Sequence, residues 1–148
     1  MFEVLIALMI SFLFLTGTLN AMVMATVMRV KAERQAQAGY WIKEDLENVR
    51  ADAAAFSDTS NCTNTPPNVG VDYAVAGTMT ASDGIPPLAT SSRTILGRNA
   101  TMTRQVVANG NVVALTYTVR NTEITDTNKN ILASLYTEVL PAAALTCP

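Results

Sequence analysis

The strongest constraint on this chain is a stretch without charge. From Val4 to Met28, 25 consecutive residues contain no Asp, Glu, Lys or Arg. Glu3 stands at the head of the run and Arg29 ends it. A helix rises about 1.5 Å per residue and a bilayer's hydrocarbon core is about 30 Å thick, so one helix of this length spans it. The run is too long for a cleaved secretory signal. It has no basic region before it and no small-residue cleavage site followed by a break in the helical pattern. It reads as a retained segment.

The helical pattern continues past the run. In residues 29–56, Gly39, Ile42, Leu46, Val49, Ala53 and Phe56 recur at steps of three and four, the spacing of one helical face. No proline interrupts residues 1–56. One continuous helix of roughly 80 Å is therefore expected. It divides into an apolar part, 1–28, and an amphipathic part, 29–56. Residues 57–148 remain for a globular domain, enough for a small core. Arg29, Lys31 and Arg34 follow the run. Taken alone, the positive-inside rule places them on the cytoplasmic side.

These residues carry a family resemblance. Met1 to Ile10, reading Met-Phe-Glu-Val-Leu-Ile-Ala-Leu-Met-Ile, resembles the mature N-terminus of a type IV pilin or pseudopilin. In that family a glutamate opens the apolar helix, within a run like Glu3-Val4-Leu5-Ile6-Ala7. Asp45 to Ala51 is similar to the second half of the same helix in PilV-type minor pilins. The family's glutamate stands at mature position five, so the resemblance implies two further mature residues and a leader before Met1. The basic leader would hold the N-terminus inside, the orientation opposite to that of the basic residues at 29–34.

The resemblance implies an α+β fold, with a long N-terminal helix packed on a small antiparallel sheet. It implies a structural subunit of a pilus or related extracellular filament. Such a subunit polymerises with itself and other pilins through Val4, Leu5, Ile6, Leu8, Phe12 and Leu15. Glu3 is the expected assembly residue. The inner membrane holds the subunit before assembly, and a prepilin peptidase and assembly machinery are the implied partners. Thr16, Gly17, Thr18 and Asn20 form a segment of poor helix formers. Pilins of this kind often lose helix there on assembly, although the family's usual proline is missing. The alternative reading is ordinary small-residue helix packing. A function of another class also fits the anchor: a monomeric, membrane-anchored exported binding module.

The rest of the chain reads as β structure and loops. Residues 57–68 are loop by composition. Val69, Val71, Tyr73 and Val75 alternate with smaller or polar residues and are expected to form a strand. Residues 77–92 read as irregular. Thr101–Ala108 and Asn111–Arg120 read as a hairpin around Asn109-Gly110, since Asn-Gly tolerates positive φ. Residues 121–130 form a polar turn. Ile131–Leu140 fits a helix or a strand, and strand is favoured because the hairpin offers an edge. Cys62 and Cys147 could bracket the domain as a disulfide, with two unrelated buried thiols as the alternative.

Candidate chemistry is sparse. The chain has no histidine, P-loop, nucleophile elbow or dinucleotide fingerprint. No catalysis and no cofactor are expected. The adjacent carboxylates Glu44 and Asp45 read as a solvated face. Between Gly84 and Thr122 there is no acidic residue, while Arg93, Arg98, Arg104 and Arg120 are present. They could bind an anionic polymer such as DNA or polysaccharide. The competing reading is a basic solvated surface. Asn61 and Asn99 open N-x-Thr triplets. The Ser/Thr clusters at 57–65 and 89–94 are candidate O-glycan positions.

Overall fold

The computed structural model describes residues 2–60, 62–63, 68–75, 88, 91–127 and 129–147. Helix α1 runs from Phe2 to Ala55 without a break. The chain divides into two compact units, Met1–Ala36 and Gln37–Pro148, so α1 contributes to both. Every described residue of the first unit is helical. The second holds the end of α1, helix α2 (Val69–Val75), strands β1 (Ser92–Ile95), β2 (Arg98–Asn109), β3 (Val112–Asn121) and β4 (Ile131–Val139), and a 3-10 turn, η1 (Ala142–Leu145).

The four strands make one antiparallel sheet in the order β1-β2-β3-β4. Side chains alternate across it. Ala100, Met102, Arg104 and Val106 of β2 stand opposite Asn121, Val119, Tyr117 and Leu115 of β3. Leu115, Tyr117 and Val119 in turn face Thr137, Leu135 and Ala133 of β4. This face is covered by the end of α1. Ala38, Trp41, Ile42, Asp45, Leu46, Val49 and Ala53 are the helix's buried residues. All of these except Asp45 pack in one cluster with Met102, Leu115, Tyr117, Val119 and Val139. The result is an α+β arrangement of a long helix on a four-stranded antiparallel sheet. The expected helical stripe needs one correction. Gly39 lies off the packed face, with no atom within 4 Å of where its Cβ would stand, and Ala38 and Trp41 occupy the place assigned to it.

Val69–Val75 is a helix, not the strand its alternation predicts. The reason lies in the β2–β3 hairpin. Asn109 pairs with Val112, so the two turn residues are Gly110 and Asn111, one place later than expected. Only Gly110 has positive φ, at 60°. The first N–H groups of a helix lack intrahelical acceptors. Here the turn supplies them. Val69 N–H donates to Asn111 Oδ1 at 3.3 Å, and Gly70 N–H donates to the Gly110 carbonyl at 3.0 Å. Val69 and Tyr73, one helical turn apart, then enter the core. The Tyr73 hydroxyl donates to the Val49 carbonyl at 2.9 Å, and the Phe56 and Tyr73 rings meet edge to face at 5.2 Å.

Strand β1 falls where irregular structure ends in the sequence reading, and it was not expected. Its connection to β2 is the two-residue turn Leu96-Gly97, both at positive φ, 45° and 74°. Paired positive φ is the mark of the turn that matches strand twist. Leucine is an unusual occupant, because Cβ crowds the carbonyl there. At the other end of the domain, Cys62 and Cys147 form a disulfide with Cα atoms 5.1 Å apart and a sequence separation of 85. Ala143 N–H also donates to the Phe56 carbonyl at 3.1 Å. Chain end and helix end are thus held together twice. A loop of this size contributes on the order of 4 kcal/mol in the chain-entropy account, which is large for so small a core.

Gly70 gives a sharp test of how α2 is held. A Cβ there would lie 2.7 Å from the Gly110 oxygen and 2.9 Å from the Asn111 carbonyl carbon, both backbone atoms. Gly70→Ala should therefore push α2 off the hairpin and destabilise the domain by about 1–3 kcal/mol. Urea unfolding of the oxidised protein measures it. An unchanged midpoint would show that the close approach is not part of the folded state.

Candidate functional site

The chemistry-bearing surface of the first unit is its apolar helix. Eighteen large apolar side chains between Phe2 and Val30 are exposed, among them Val4, Leu5, Ile6, Leu8, Phe12 and Leu15, at 53–69%. Monomeric soluble proteins rarely expose contiguous apolar patches above a few hundred Å². The helix is long and apolar enough to cross a membrane, and none of its most apolar window is buried. Glu3 is exposed in the first turn. A carboxylate there is favoured by the positive end of the helix.

The hydroxyls within the run are turned back on the helix. Ser11 donates to the Ala7 carbonyl at 2.8 Å, and Thr26 to Val23 at 2.8 Å. Thr16 reaches the Phe12 and Leu13 carbonyls at 2.9 and 3.0 Å, and Thr18 reaches Leu15 at 2.9 Å. These groups ask nothing of their surroundings. Back-bonding of this kind slightly weakens a helix. Gly17 lies between Thr16 and Thr18 with no atom within 4 Å of a Cβ position. Thr16, Gly17, Thr18 and Asn20 are all helical here.

In the second unit the arginine patch takes a different form from the one expected. Arg93 Nη1 lies 3.0 Å from Glu44 Oε2, and its guanidinium sits 5.2 Å from the Trp41 ring centre. Arg98 pairs with Glu123, whose second oxygen accepts the Asn99 N–H at 3.1 Å. Arg104 is half-buried, its side chain only 7% exposed, and its Nη1 is 2.6 Å from Asp45 Oδ2. Arg120 lies on the opposite face of the sheet from Arg104, paired in register with Thr101. Three of the four arginines thus spend their charge on carboxylates from α1 or the β3–β4 loop. The four do not stand together as one set: Arg104 faces the helix-covered side of the sheet and Arg120 the other.

The same geometry corrects the reading of Glu44 and Asp45 as a solvated pair. Glu44 is exposed, but Asp45 is 6% exposed. Its Oδ2 accepts both the Arg104 guanidinium and the Tyr117 hydroxyl, the latter at 2.8 Å. Burial, with the Asp45 carboxylate beside it, pushes the Tyr117 hydroxyl's pKa well above its ordinary value, so it stays a donor. Sequence parity carries the missed signal. Asp45 lies three residues after Ile42 and four before Val49, on the apolar stripe. Arg104 shares the parity of Ala100, Met102 and Val106.

Asn99 is exposed, accepting from the Thr94 hydroxyl at 3.3 Å. Asn61 lies outside the described residues, as do several positions of both Ser/Thr clusters. Among the described residues no group of three or more His, Cys, Asp or Glu could hold a metal ion. Comparison with family models, with curated proteins and with solved structures returns no match to this chain.

The buried cluster predicts an asymmetric response to mutation. Asp45→Ala leaves the Arg104 charge and the Tyr117 hydroxyl without their acceptor, and should cost about 3–5 kcal/mol. Replacing both charges with apolar groups, Asp45→Leu with Arg104→Met, should recover most of that loss. Equilibrium denaturation of the three variants is the measurement. A double variant no better than Asp45→Ala would contradict the account.

Proposed function

We propose that this chain is a structural subunit of a type IV pilus or a related extracellular filament. The observation that carries the reading is the apolar run: eighteen exposed large apolar side chains on one uninterrupted helix, headed by a single carboxylate. The resemblance of Met1–Ile10 to the mature start of pilins supports it. So does the continuation of the same helix into an α+β domain closed by a disulfide. In this reading the run anchors the subunit in the inner membrane and then packs against copies of itself and other pilins. The assembled subunit lies on the cell surface, after processing by a prepilin peptidase. Its work is mechanical and adhesive, without catalysis or cofactor.

The competing reading, a monomeric anchored module for an anionic ligand, loses its main support once Arg93, Arg98 and Arg104 are paired. It also gives Glu3 no task. A carboxylate drawn toward the middle of a bilayer costs on the order of 2.5–3.5 kcal/mol. An assembling subunit relieves that cost by pairing Glu3 with the amine at the start of a neighbour. Both charges are then neutralised as the helix leaves lipid for protein.

Glu3→Ala and Glu3→Gln subunits, expressed as the sole copy, should stay in the inner membrane with a folded, oxidised domain. Sheared filaments should fall about tenfold or more, given the size of that charge cost. Normal filament yield from either variant would remove the proposed role.

Gly17→Ala tests the second half of the reading. Alanine favours helix over glycine by about 1 kcal/mol, and open space around Gly17 admits the methyl. If assembly loosens the helix between Phe14 and Ala21, the variant should assemble more slowly or give less extensible filaments. A filament map with unbroken α-helix through those residues refutes the loosening.

A further inference from the structure

Most of the chain's cations are matched to carboxylates. Arg50, Arg93, Arg98, Arg104 and Lys129 each form an ion pair. Arg29, Lys31 and Arg34 form none among the described residues. Arg29 and Lys31 are exposed and Arg34 is half-buried. Arg34 Nε also lacks a hydrogen-bond acceptor among the described residues. All three lie in Met1–Ala36, directly beyond Met28, the last residue of the uncharged run.

Their placement round the helix is informative. A helix turns about 100° per residue and rises about 1.5 Å. Lys31 therefore stands about 200° round from Arg29, and Arg34 about 140°. Lys31 and Arg34 share one side, and Arg29 takes the other. The three occupy about 8 Å of the axis, so they make a collar rather than a stripe. With the run across a bilayer, the collar falls where hydrocarbon gives way to headgroups.

We infer that Arg29, Lys31 and Arg34 form a binding collar for the phosphodiester headgroups of anionic phospholipids. The inference rests on the membrane-anchor part of the proposed function and holds for either orientation of the helix. A guanidinium donates two parallel hydrogen bonds to a phosphate, and an ammonium adds a point charge. Basic groups next to a spanning helix draw anionic lipid in the same way. The ring arrangement selects this partner. A headgroup layer surrounds the helix and meets every side of it. An acidic patch on a globular protein would reach one side only. A second copy at the same depth in the same bilayer would bring its own three cations to that height, against one carboxylate, Glu33. The next carboxylates along the helix are Glu3 and Glu44, both well away from the collar.

The test uses the full chain in phosphatidylcholine vesicles with a trace of spin-labelled phosphatidylglycerol or spin-labelled phosphatidylcholine. Electron spin resonance separates lipid held at the protein surface from free lipid. The held population should favour phosphatidylglycerol about threefold or more at low salt. That excess should shrink near 1 M salt, where the screening length falls to about 3 Å. Arg29→Gln, Lys31→Gln and Arg34→Gln together should bring the ratio close to one, with held phosphatidylcholine unchanged. Arg120→Gln removes a cation from the sheet instead and should leave the ratio as it is. Held phosphatidylcholine without excess phosphatidylglycerol overturns the collar and leaves the anchor standing. No held lipid of either kind overturns anchor and collar together. An excess that survives the triple substitution, or that Arg120→Gln lowers as far, overturns the collar too. So does an excess lost to inorganic phosphate but not to chloride of equal ionic strength, which would assign the cations to free phosphate.

Discussion

One buried carboxylate fixes how the end of α1 lies on the sheet. Asp45 Oδ2 takes hydrogen bonds from Arg104 on β2 and Tyr117 on β3, so a single oxygen joins the helix to two strands. Such a pair adds little net stability, because both ions lose water. Its leverage is in what it forbids. A helix turned by one residue rotates about 100° and would carry Asp45 away, leaving Arg104 buried without a counter-charge. The apolar side chains around it, Ile42, Leu46 and Val49, are less particular, since aliphatic groups of similar size repack at modest cost. The other ties to this end of α1 follow from the same placement. With the helix in this register, the Val49 carbonyl meets the Tyr73 hydroxyl and the Phe56 carbonyl meets Ala143 N–H.

That placement matters because α1 serves two different purposes along its length. Its buried residues begin at Ala38. Everything before Gln37 adds no core of its own, and all cooperative packing is left to Gln37–Pro148. A domain of that size is ordinary for a single core. The disulfide, the Asn111 and Gly110 acceptors for α2, and the Asp45 cluster are local ties added to that core. None of them touches the exposed apolar run.

How much of this was readable in the sequence depended on period and parity. The continuous helix and the β2–β3 hairpin rest on long patterns visible in one dimension, whereas the period of β4 fits helix and strand alike and only the waiting hairpin favours the strand. Helix α2 was not, because Val69, Val71, Tyr73 and Val75 satisfy strand alternation equally well. The deciding fact is a carbonyl and a side chain offered by a turn forty residues away. Strand β1 is four residues long and ends in a Leu-Gly turn, where asparagine would have announced the positive φ. The scattering of the four arginines over both faces of the sheet was hidden for a different reason. Counting charges along the chain ignores which face of a strand carries them, and Arg104 sits on the inward face. The Glu44–Asp45 pair failed likewise, since two neighbours on a helix point about 100° apart and need not share an environment.

The polar chemistry of the apolar run bears on what can surround it. Ser11, Thr16, Thr18 and Thr26 each bond to a carbonyl one turn back. With its hydroxyls satisfied internally, this stretch presents mostly hydrocarbon. Lipid tails and the apolar flanks of other helices are nearly equivalent neighbours for such a surface, because no hydrophobic force distinguishes them. Packing alone therefore gives only a weak preference for leaving the membrane. A strong preference needs a group that lipid cannot satisfy and a protein neighbour can. In Val4–Met28 no side chain is charged, and Glu3 is the ionisable group at its head. If the run does exchange lipid for protein, the selectivity of that exchange has to be concentrated at this one carboxylate.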